Sequence, residues 1–518
     1  MRARMRLGLT FSALLLASLA GGSCTIQTPR VRSVPVPQER TLVKSAVKAH
    51  MLDGSTVVFP NGVLLAQNRI TGAGTHYSIL GRGVPASSLS LDSIVGMEAY
   101  DSNVNVPASV IATIGGAFVG VVGTMGLALA IFGSCPTFYA DSAGAELLQG
   151  EGFSYSVAPL LEQRDVDRLR LTPAANGSLV LTVRNEALET HYINHVEILE
   201  TEHSDSEIVM PDQSGKPVAL SRVNPLGSIH DRSGRDITRD VRTTDKVVFA
   251  TASSTLNSVT AADLDDWIEF DVPVAAGTDS VAIVMEMRNS LLNTVLLYEQ
   301  ILGAPGIKSL DFLGKDLENI SGAVEMAKWY SSHMGMRISV RDGDNWRRVA
   351  RIGDSGPIAY HQLAVMIPAV TNGGNTVKVR LAFVADDWRI DAIAASSSWR
   401  RPSVRRIAPA RVEMADSVQN TPARATLLEP DERYLITSPG QSFRVVFDAG
   451  ATSTRHRTYL LASQGYYTEW VRGSWIKQAT GVPFKPSSAS LLTAIQSWRS
   501  KQQEMEKQFY SSRIATAR

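Results

Sequence analysis

At 518 residues the chain is long enough for several domains with buried cores. Fifty-one Lys and Arg stand against 50 Asp and Glu, a formal net charge of +1, which leaves no basic domain of the kind nucleic acid requires. Two cysteines in such a length exclude a disulfide framework.

The first 23 residues read as an export signal. Arg2, Arg4 and Arg6 form a basic start, Leu7 to Ala20 an apolar core, and Ala20-Gly21-Gly22-Ser23 lead to Cys24. This pattern resembles the bacterial lipoprotein signal, which implies cleavage before Cys24 and a lipid on its side chain. It departs from the usual pattern at Gly21, where a leucine-like residue commonly stands. Thr25, rather than an aspartate, follows the cysteine, and by the same resemblance this implies delivery to the outer membrane, facing the periplasm or surface. An ordinary cleaved signal and an uncleaved anchor helix are the alternatives. Residues 24–40 contain the Pro-rich stretch Thr28 to Gln38, which has no apolar face and reads as a tether.

Residues 41–103 alternate short apolar runs with turn residues. Asp53-Gly54-Ser55 and Pro60-Asn61-Gly62 punctuate the strands Val47 to Leu52, Thr56 to Phe59 and Val63 to Leu65. The run continues through Asn68 to Gly72, His76 to Leu80 and Leu91 to Tyr100, predicting a small β roll or barrel. His50 and His76 are isolated on strands and read as packing or surface residues.

Residues 108–133 break this pattern. Ala108 to Phe132 carries no charge and five glycines, and 25 apolar or small residues suffice to cross a bilayer core. Ala112, Gly116, Gly120 and Thr124 recur every fourth residue, a small-residue face suited to close helix packing in lipid. Glycine disfavours a solvated helix by roughly 1 kcal/mol each relative to alanine. The expectation is therefore a membrane-associated segment, with a buried hairpin as the alternative. A single crossing would return the rest of an exported chain to the cytoplasm and imply the inner membrane; a re-entrant segment keeps it outside.

After Cys135 the β pattern resumes. Ser178 to Arg184 and Tyr192 to Leu199 read as a hairpin joined by Asn185 to Thr190. Three short motifs, Ser134-Cys135-Pro136-Thr137-Phe138-Tyr139, Asn185-Glu186 and Glu189-Thr190, together with the small β module and the apolar stretch, resemble an uncharacterised family of bacterial envelope lipoproteins. The resemblance implies an envelope location and two β-sandwich-like domains, and supplies no activity. The family's Tyr-x-x-Asp-Gly turn is altered here to Tyr139-Ala140-Asp141-Ser142-Ala143-Gly144.

Further strands are expected over Trp267 to Val272, Ser280 to Met287, Arg337 to Arg341, Tyr360 to Ile367, Lys378 to Ala385, Ser442 to Phe447 and Arg457 to Leu461. Asp311 to Met334 has helical spacing, and Gln464-Gly465-Tyr466-Tyr467 reads as a turn. Ser487 and Ser488 open a final helix in which Leu491, Ile495, Trp498, Gln502, Met505 and Phe509 form a seam. The organisation expected is 134–308 as a β-rich domain, 309–402 as a helix plus sandwich strands, 403–486 as sandwich continuation and 487–518 as an amphipathic helix.

Several constellations invite chemistry. Gly353-Asp354-Ser355-Gly356-Pro357 is similar to the nucleophile loop of trypsin-like proteases, but lacks its second glycine and any upstream histidine in the matching context, so a turn is expected. His191 and His195 fall on one strand face with Glu189 and Glu197, too far apart along the strand for zinc without a third ligand. Asp342-Gly343-Asp344-Asn345 lacks the spacing of a calcium loop. Asp386-Asp387-Trp388-Arg389-Ile390-Asp391 and Asp265-Asp266-Trp267 put carboxylates beside tryptophan, as sugar-cleaving sites do, although strand-edge solvation explains them as well. No phosphate loop, dinucleotide fingerprint or His-Glu-x-x-His occurs.

The sequence thus predicts a mainly β protein: an N-terminal β roll or barrel, an apolar Gly-rich helix or hairpin, and β-sandwich-like domains with a few helices. No catalytic residue, cofactor or metal site is assigned. The function expected is a non-catalytic envelope scaffold or binding protein whose partner is a protein or an envelope glycan, with the membrane reached through Cys24 and the apolar segment. The rivals are a periplasmic carbohydrate-active enzyme and a membrane-complex subunit that oligomerises through 108–132. Convergence of Asp387 and Asp391 in an open site with exposed tryptophans would favour the enzyme.

Overall fold

Alternating apolar residues dominate the chain and the structure, a computed structural model, is mainly β, with antiparallel sheets and a few helices. It describes residues 40–44, 46–66, 68–80, 82–99, 135–142, 145–187, 189–245, 247–304, 320–414, 420–450, 455–470 and 484–511. Cys24 and the face formed by Ala112, Gly116, Gly120 and Thr124 lie outside the described residues. Among the described residues no helix is long and apolar enough to cross a membrane.

Seven strands between Thr41–Val43 and Ile94–Ala99 form one antiparallel sheet around Val47, Ala49, Val57, Phe59 and Ile70. Its turns fall where the sequence places them. At Gly62, with φ +85°, a Cβ would lie 2.2 Å from the Val43 carbonyl oxygen, so backbone passes where a side chain would sit.

The first sandwich is built from two separated stretches of chain. One sheet orders Pro409–Met414, Ser442–Asp448, Ser178–Arg184, Thr137–Ser142 and Ala145–Glu151 side by side; the other orders Gln163–Arg168, His456–Glu469, Glu189–His203 and Arg405–Ile407, with Leu435–Thr437 also pairing to Glu189–His203. Leu181, Val183, Ile193, Val196, Phe443 and Tyr467 fill the space between them. Two expectations are corrected here. Ser178–Arg184 and Glu189–His203 are not hairpin partners: the chain arches between them from one sheet to the other, and Asn185 Nδ2 holds the arch by donating to the carbonyls of Glu189 (2.8 Å) and Thr437 (2.9 Å). Gly465 is no turn but the middle of the strand His456–Glu469, opposite Ile193. A Cβ there would lie 2.3 Å from the Tyr192 carbonyl and 2.9 Å from the Phe153 ring, so the glycine serves close packing.

The second sandwich is inserted between strands Glu189–His203 and Arg405–Ile407 of the first. One sheet orders Asn224–Pro225, Trp388–Ser396, Ser280–Asn289 and His361–Pro368; the other orders Ile229–Asp231, Asp265–Pro273, Thr376–Val384, Met336–Asp342 and Asn345–Ile352. Residues of alternate parity, such as Val281, Ile283 and Met285 against Val377, Val379 and Leu381, make its core. Ala282 and Ala364, on the other face, pack under a small third sheet of Glu207–Pro211, Pro217–Ser221 and Ser398–Arg400.

Helical elements fill the junction of these bodies. Leu292–Val295 runs into Leu296–Ile301, and Ile320–His333 and Ser488–Ser511 pack near them around Leu292, Leu296, Trp329 and Trp498. The same cluster takes Tyr139 and Leu148 from the first sandwich and Ile358 and Ala359 from the second. In the last helix the seam residues Leu491, Ile495, Trp498 and Phe509 are buried. Gln502, the polar interruption of that seam, donates to Asp386 Oδ2 at 2.9 Å.

Candidate functional site: a buried polar junction between the two sandwiches

The loop between strands Asn345–Ile352 and His361–Pro368 carries Gly353 to Pro357. It connects strands as expected, starting exposed at Gly353 and half-buried at Asp354 and Ser355 before Gly356 and Pro357 are buried against the first sandwich. Asn289, the last residue of strand Ser280–Asn289, grips it at both ends. Its Oδ1 accepts from the Ser355 amide at 2.7 Å, its Nδ2 donates to Asp354 Oδ1 at 2.9 Å, and its own amide donates to the Gly356 carbonyl at 3.0 Å.

Glu151 reaches this loop from the end of a strand of the first sandwich and is fully buried. Its Oε2 accepts from the amides of Ile358 and Ala359, both at 2.7 Å, while Oε1 accepts from Ser154 Oγ at 3.1 Å and lies 3.5 Å from Cys135 Sγ. One carboxyl of one domain thus holds two main-chain amides of the other. Burial lifts its pKa to about 7 against the pull of His361 and the two amides. Cys135, with φ +97° and an amide that donates to Glu189 Oε1 at 2.9 Å, has its thiol pushed well up by burial and by Glu151 and Glu189.

Beside it, His361 Nδ1 meets Asp167 Oδ1 at 2.5 Å across the same junction. Burial alone would lower His361, but Asp167, Glu151 and Asp165 together raise it to about 9. Asp165 is itself raised to about 6 by burial and the neighbouring Asp167. Arg168 Nη1 donates to Gln362 Oε1 and Arg170 Nη2 to Glu286 Oε1, each at 2.8 Å, extending the polar contact along the two strands.

Asp354 and Asp387 form the second half of the site. Asn293 Nδ2 donates to Asp387 Oδ1 at 2.7 Å, and Tyr330 Oη donates to Asn293 Oδ1 at 3.3 Å. Each carboxyl acts directly on the other: burial raises Asp354, and burial with the Asp354 charge holds Asp387 well above the carboxylate range. Two carboxyls that act on one another in this way resist losing both protons, so each disfavours the other's ionisation. Such a pair has the chemistry of an acid–base dyad, but the tilted rings of Tyr155 and Tyr330, with centroids 5.8 Å apart, lie beside it.

The remaining carboxylates of that turn do not join the pair. Asp386, with φ +67°, pairs with Arg389 (2.7 and 3.1 Å) and accepts from Trp498 Nε1 at 2.6 Å, so it seats the C-terminal helix. Asp391 is buried separately and accepts from the Asp245 amide at 3.3 Å, and Trp388 is fully buried. Asp266 is buried and raised to about 6. The Trp267 ring lies under Arg232 and Arg380, at 4.6 and 4.8 Å. An open groove of about 820 Å³ lies elsewhere, at the two chain crossings between the sandwiches, where Arg400, Arg405 and Arg457 are matched by Glu200, Glu202 and Glu207.

The histidine pair of the long strand is divided rather than shared. A bulge between Ile193 and His195 shifts the register, so that Ile193 before it and Val196 and Ile198 after it face one core. His191 and His195 therefore lie on opposite faces, which corrects the common face expected from simple alternation. His191 sits 3.7 Å from Glu189, and burial lowers it to about 3; His195 Nδ1 lies 3.0 Å from the Leu427 carbonyl and its Nε2 3.6 Å from Glu197 Oε1. No group of three metal-ligating side chains occurs among the described residues. His50 stacks on Trp470 at 4.2 Å, and His76 Nε2 meets Ser55 Oγ at 2.7 Å.

Sequence reasoning singled out Asp387 and the 353–357 loop but not Glu151, His361 or Asn289, which come together only through pairings more than 60 residues apart. Gly356 alone carries a local signal, since its φ of +90° needs glycine.

Compared with protein-family models and with curated proteins, the chain matches none. Among solved structures it is similar to the C-terminal CBM6 of LamC, a marine laminarinase from Zobellia galactanivorans, at 9% identity over 38% of this chain and 98% of that one, with a TM-score of 0.14. The GH31 alpha-xylosidase from Xanthomonas citri aligns at 9% identity over 84% of this chain, which spans only 34% of that one, with a TM-score of 0.16. A structure of Sulfolobus Turreted Icosahedral Virus aligns at 7% identity over 66% of this chain and 93% of that one, with a TM-score of 0.14. Similarity at that level carries no argument about ligand or activity.

Proposed function

We propose that this chain is a non-catalytic scaffold or binding protein of the cell envelope, anchored by lipid at Cys24 and engaging a protein partner or an envelope glycan. One observation carries the non-catalytic reading: the converging carboxyls are taken up by the fold itself, Glu151 joining the two sandwiches and Asp354 and Asp387 bonded within the second. Their donors are the amides of Ile358 and Ala359 and the side chains of Asn289 and Asn293, all within the fold. The two bonds accepted by Glu151 fix how the sandwiches sit against one another. The envelope location rests on the basic start, apolar core and small residues before Cys24, and on the resemblance to envelope lipoproteins.

Two measurements test it. Radiolabelled palmitate should enter the wild-type protein in cells and be lost in Cys24→Ala; unchanged labelling would end the lipoprotein reading. Purified protein incubated with envelope oligosaccharides should return them intact by mass spectrometry. Cleavage that disappears in Asp354→Asn would instead establish the carbohydrate-active rival, with the carboxyl pair as its acid and base.

A further inference from the structure

The second sandwich enters and leaves the first through only two chain crossings, near Ser204 and Ser403, so its seating depends on what the two bodies share at the junction. That contact combines apolar packing of Tyr139 and Leu148 against Ile358 and Ala359 with the titratable groups around Glu151. We propose that this junction is a pH-operated clasp between the sandwiches, tight in mild acid and loosened in mild alkali.

The geometry sets the members. From the first sandwich, Glu151 presents its carboxyl to the Ile358 and Ala359 amides, flanked on neighbouring segments by Cys135 and Glu189. The adjoining strand Gln163–Arg168 brings Asp165, Asp167 and Arg168, with Arg170 just beyond it. From the second sandwich come His361 on Asp167, Glu286 on Arg170, and the Asp354–Asp387 pair with Arg351 nearby. The helix Ile320–His333 contributes Tyr330, and Tyr155 lies beside the carboxyl pair from the first sandwich. Gly356 closes the contact so tightly that a Cβ there would fall 1.9 Å from Glu151 Oε1. No added water layer fits between loop and carboxyl at that separation.

The signs agree across the cluster. Glu151 is raised to about 7 and Asp165 to about 6, foremost by burial, so separation of the bodies would return both towards ordinary values and release protons. The closed form therefore binds more protons than the open one from about pH 4 to 7, and closure weakens as pH rises through that range. His361 reaches about 9 because Asp167, Glu151 and Asp165 outweigh burial. Its contribution is fully present below about pH 6.5 and is lost as pH climbs through 9.

The test is amide hydrogen exchange of the full-length protein from pH 5 to 9, corrected for intrinsic exchange rates. Protection of the Ile358 and Ala359 amides should fall more than tenfold, while Val379 and Leu381 in the second core keep theirs. Glu151→Gln should flatten the limb below pH 7 and His361→Gln the limb above it. Protection at Ile358 and Ala359 that stays within twofold across the range would overturn the clasp, as would an equal fall at Val379 and Leu381, which would mean global unfolding. A folded Glu151→Gln protein with the full wild-type pH dependence would also overturn it. If that variant does not fold, the wild-type profile decides by the same criteria.

Discussion

Gly356 and Glu151 occupy one another's space: the α-carbon of the loop stands where no side chain can follow without displacing the Glu151 carboxyl and Ser154 Oγ. Gly356→Ala should therefore strain the backbone at φ +90° and overpack the junction together, lowering stability by about 2 to 3 kcal/mol. Urea denaturation checks this. Gly353→Ala, where a Cβ would meet nothing within 4 Å, should cost far less and serves as the comparison.

Tyr192 and Tyr466 stack at 4.4 Å and send their hydroxyls into the N-terminal module, Tyr192 to the Gly54 carbonyl and Tyr466 to the Ile79 carbonyl. Changing either to phenylalanine leaves a carbonyl without its donor, buried at Gly54 and half-buried at Ile79. Each replacement should cost about 1 kcal/mol. Because both bonds cross one interface, limited proteolysis within residues 40–99 of the double variant should accelerate while the sandwiches stay resistant. Equal acceleration in all three bodies would contradict a docking role.

The last helix is seated by polar as well as apolar contacts, since Trp498 and Gln502 both donate to Asp386 and Arg389 bridges Asp386 to Glu506. Trp498→Phe keeps most of the ring but removes one donor from a buried carboxylate, and should cost roughly 1 to 3 kcal/mol. Deleting residues 487–518 should lower the thermal midpoint without changing mass in solution. A dimer turned to monomer at an unchanged midpoint would mean that the helix serves a second subunit instead.

His191 responds to acid in the opposite sense to the junction. Buried and lowered to about 3, it stays neutral in the fold but gains a proton near pH 6.5 once unfolded. Its contribution is present above pH 6.5 and is lost as pH falls towards 3. The stability difference between the wild-type protein and His191→Leu, measured by urea denaturation, should shift in favour of the variant on going from pH 7 to pH 4. A difference that is the same at both values would remove His191 as an acid-sensitive group.

For the apolar segment, Gly120→Asp in a protein that also carries Cys24→Ala should weaken membrane retention, because a charge at the centre of a membrane helix costs about 3 kcal/mol on insertion scales. Alkaline carbonate extraction measures it. Release of the Cys24→Ala protein with Gly120 intact would favour the buried hairpin.

What was legible in the sequence followed its range in the chain. The strands Ser280–Asn289 and Thr376–Val384 announce themselves through alternation, and the last helix through its spacing of Leu491, Ile495 and Trp498, because these patterns need only near neighbours. Pairing needs more. Ser178–Arg184 and Glu189–His203 look like a hairpin since nothing local distinguishes a turn from an arch between sheets. Gly465 mimics a turn because a glycine required by Phe153 and the Tyr192 carbonyl is indistinguishable, in sequence, from one required by φ. Asp387 stood out beside Trp388, yet its partner Asp354 lies 33 residues back in a loop read only as a turn between strands. The junction was illegible for the same reason: Glu151 and Ile358 are 207 residues apart and meet only once both sandwiches exist.

The insertion of one sandwich within the other also sets the order in which the protein can be made. Strand Glu189–His203 takes its main partner from His456–Glu469, and the last rung of that ladder joins His203 to His456. A chain emerging from its N-terminus must therefore hold a 15-residue strand without that partner while some 250 residues follow. The inserted sandwich, whose strands all lie between its two crossings, can form during that interval and bring the crossings together. Loop closure for the outer sandwich is then largely made before its own sheets assemble. Slowing the insertion, for example by weakening its core at Val379, should expose the waiting strand edge to aggregation during biogenesis, even where the finished protein remains stable.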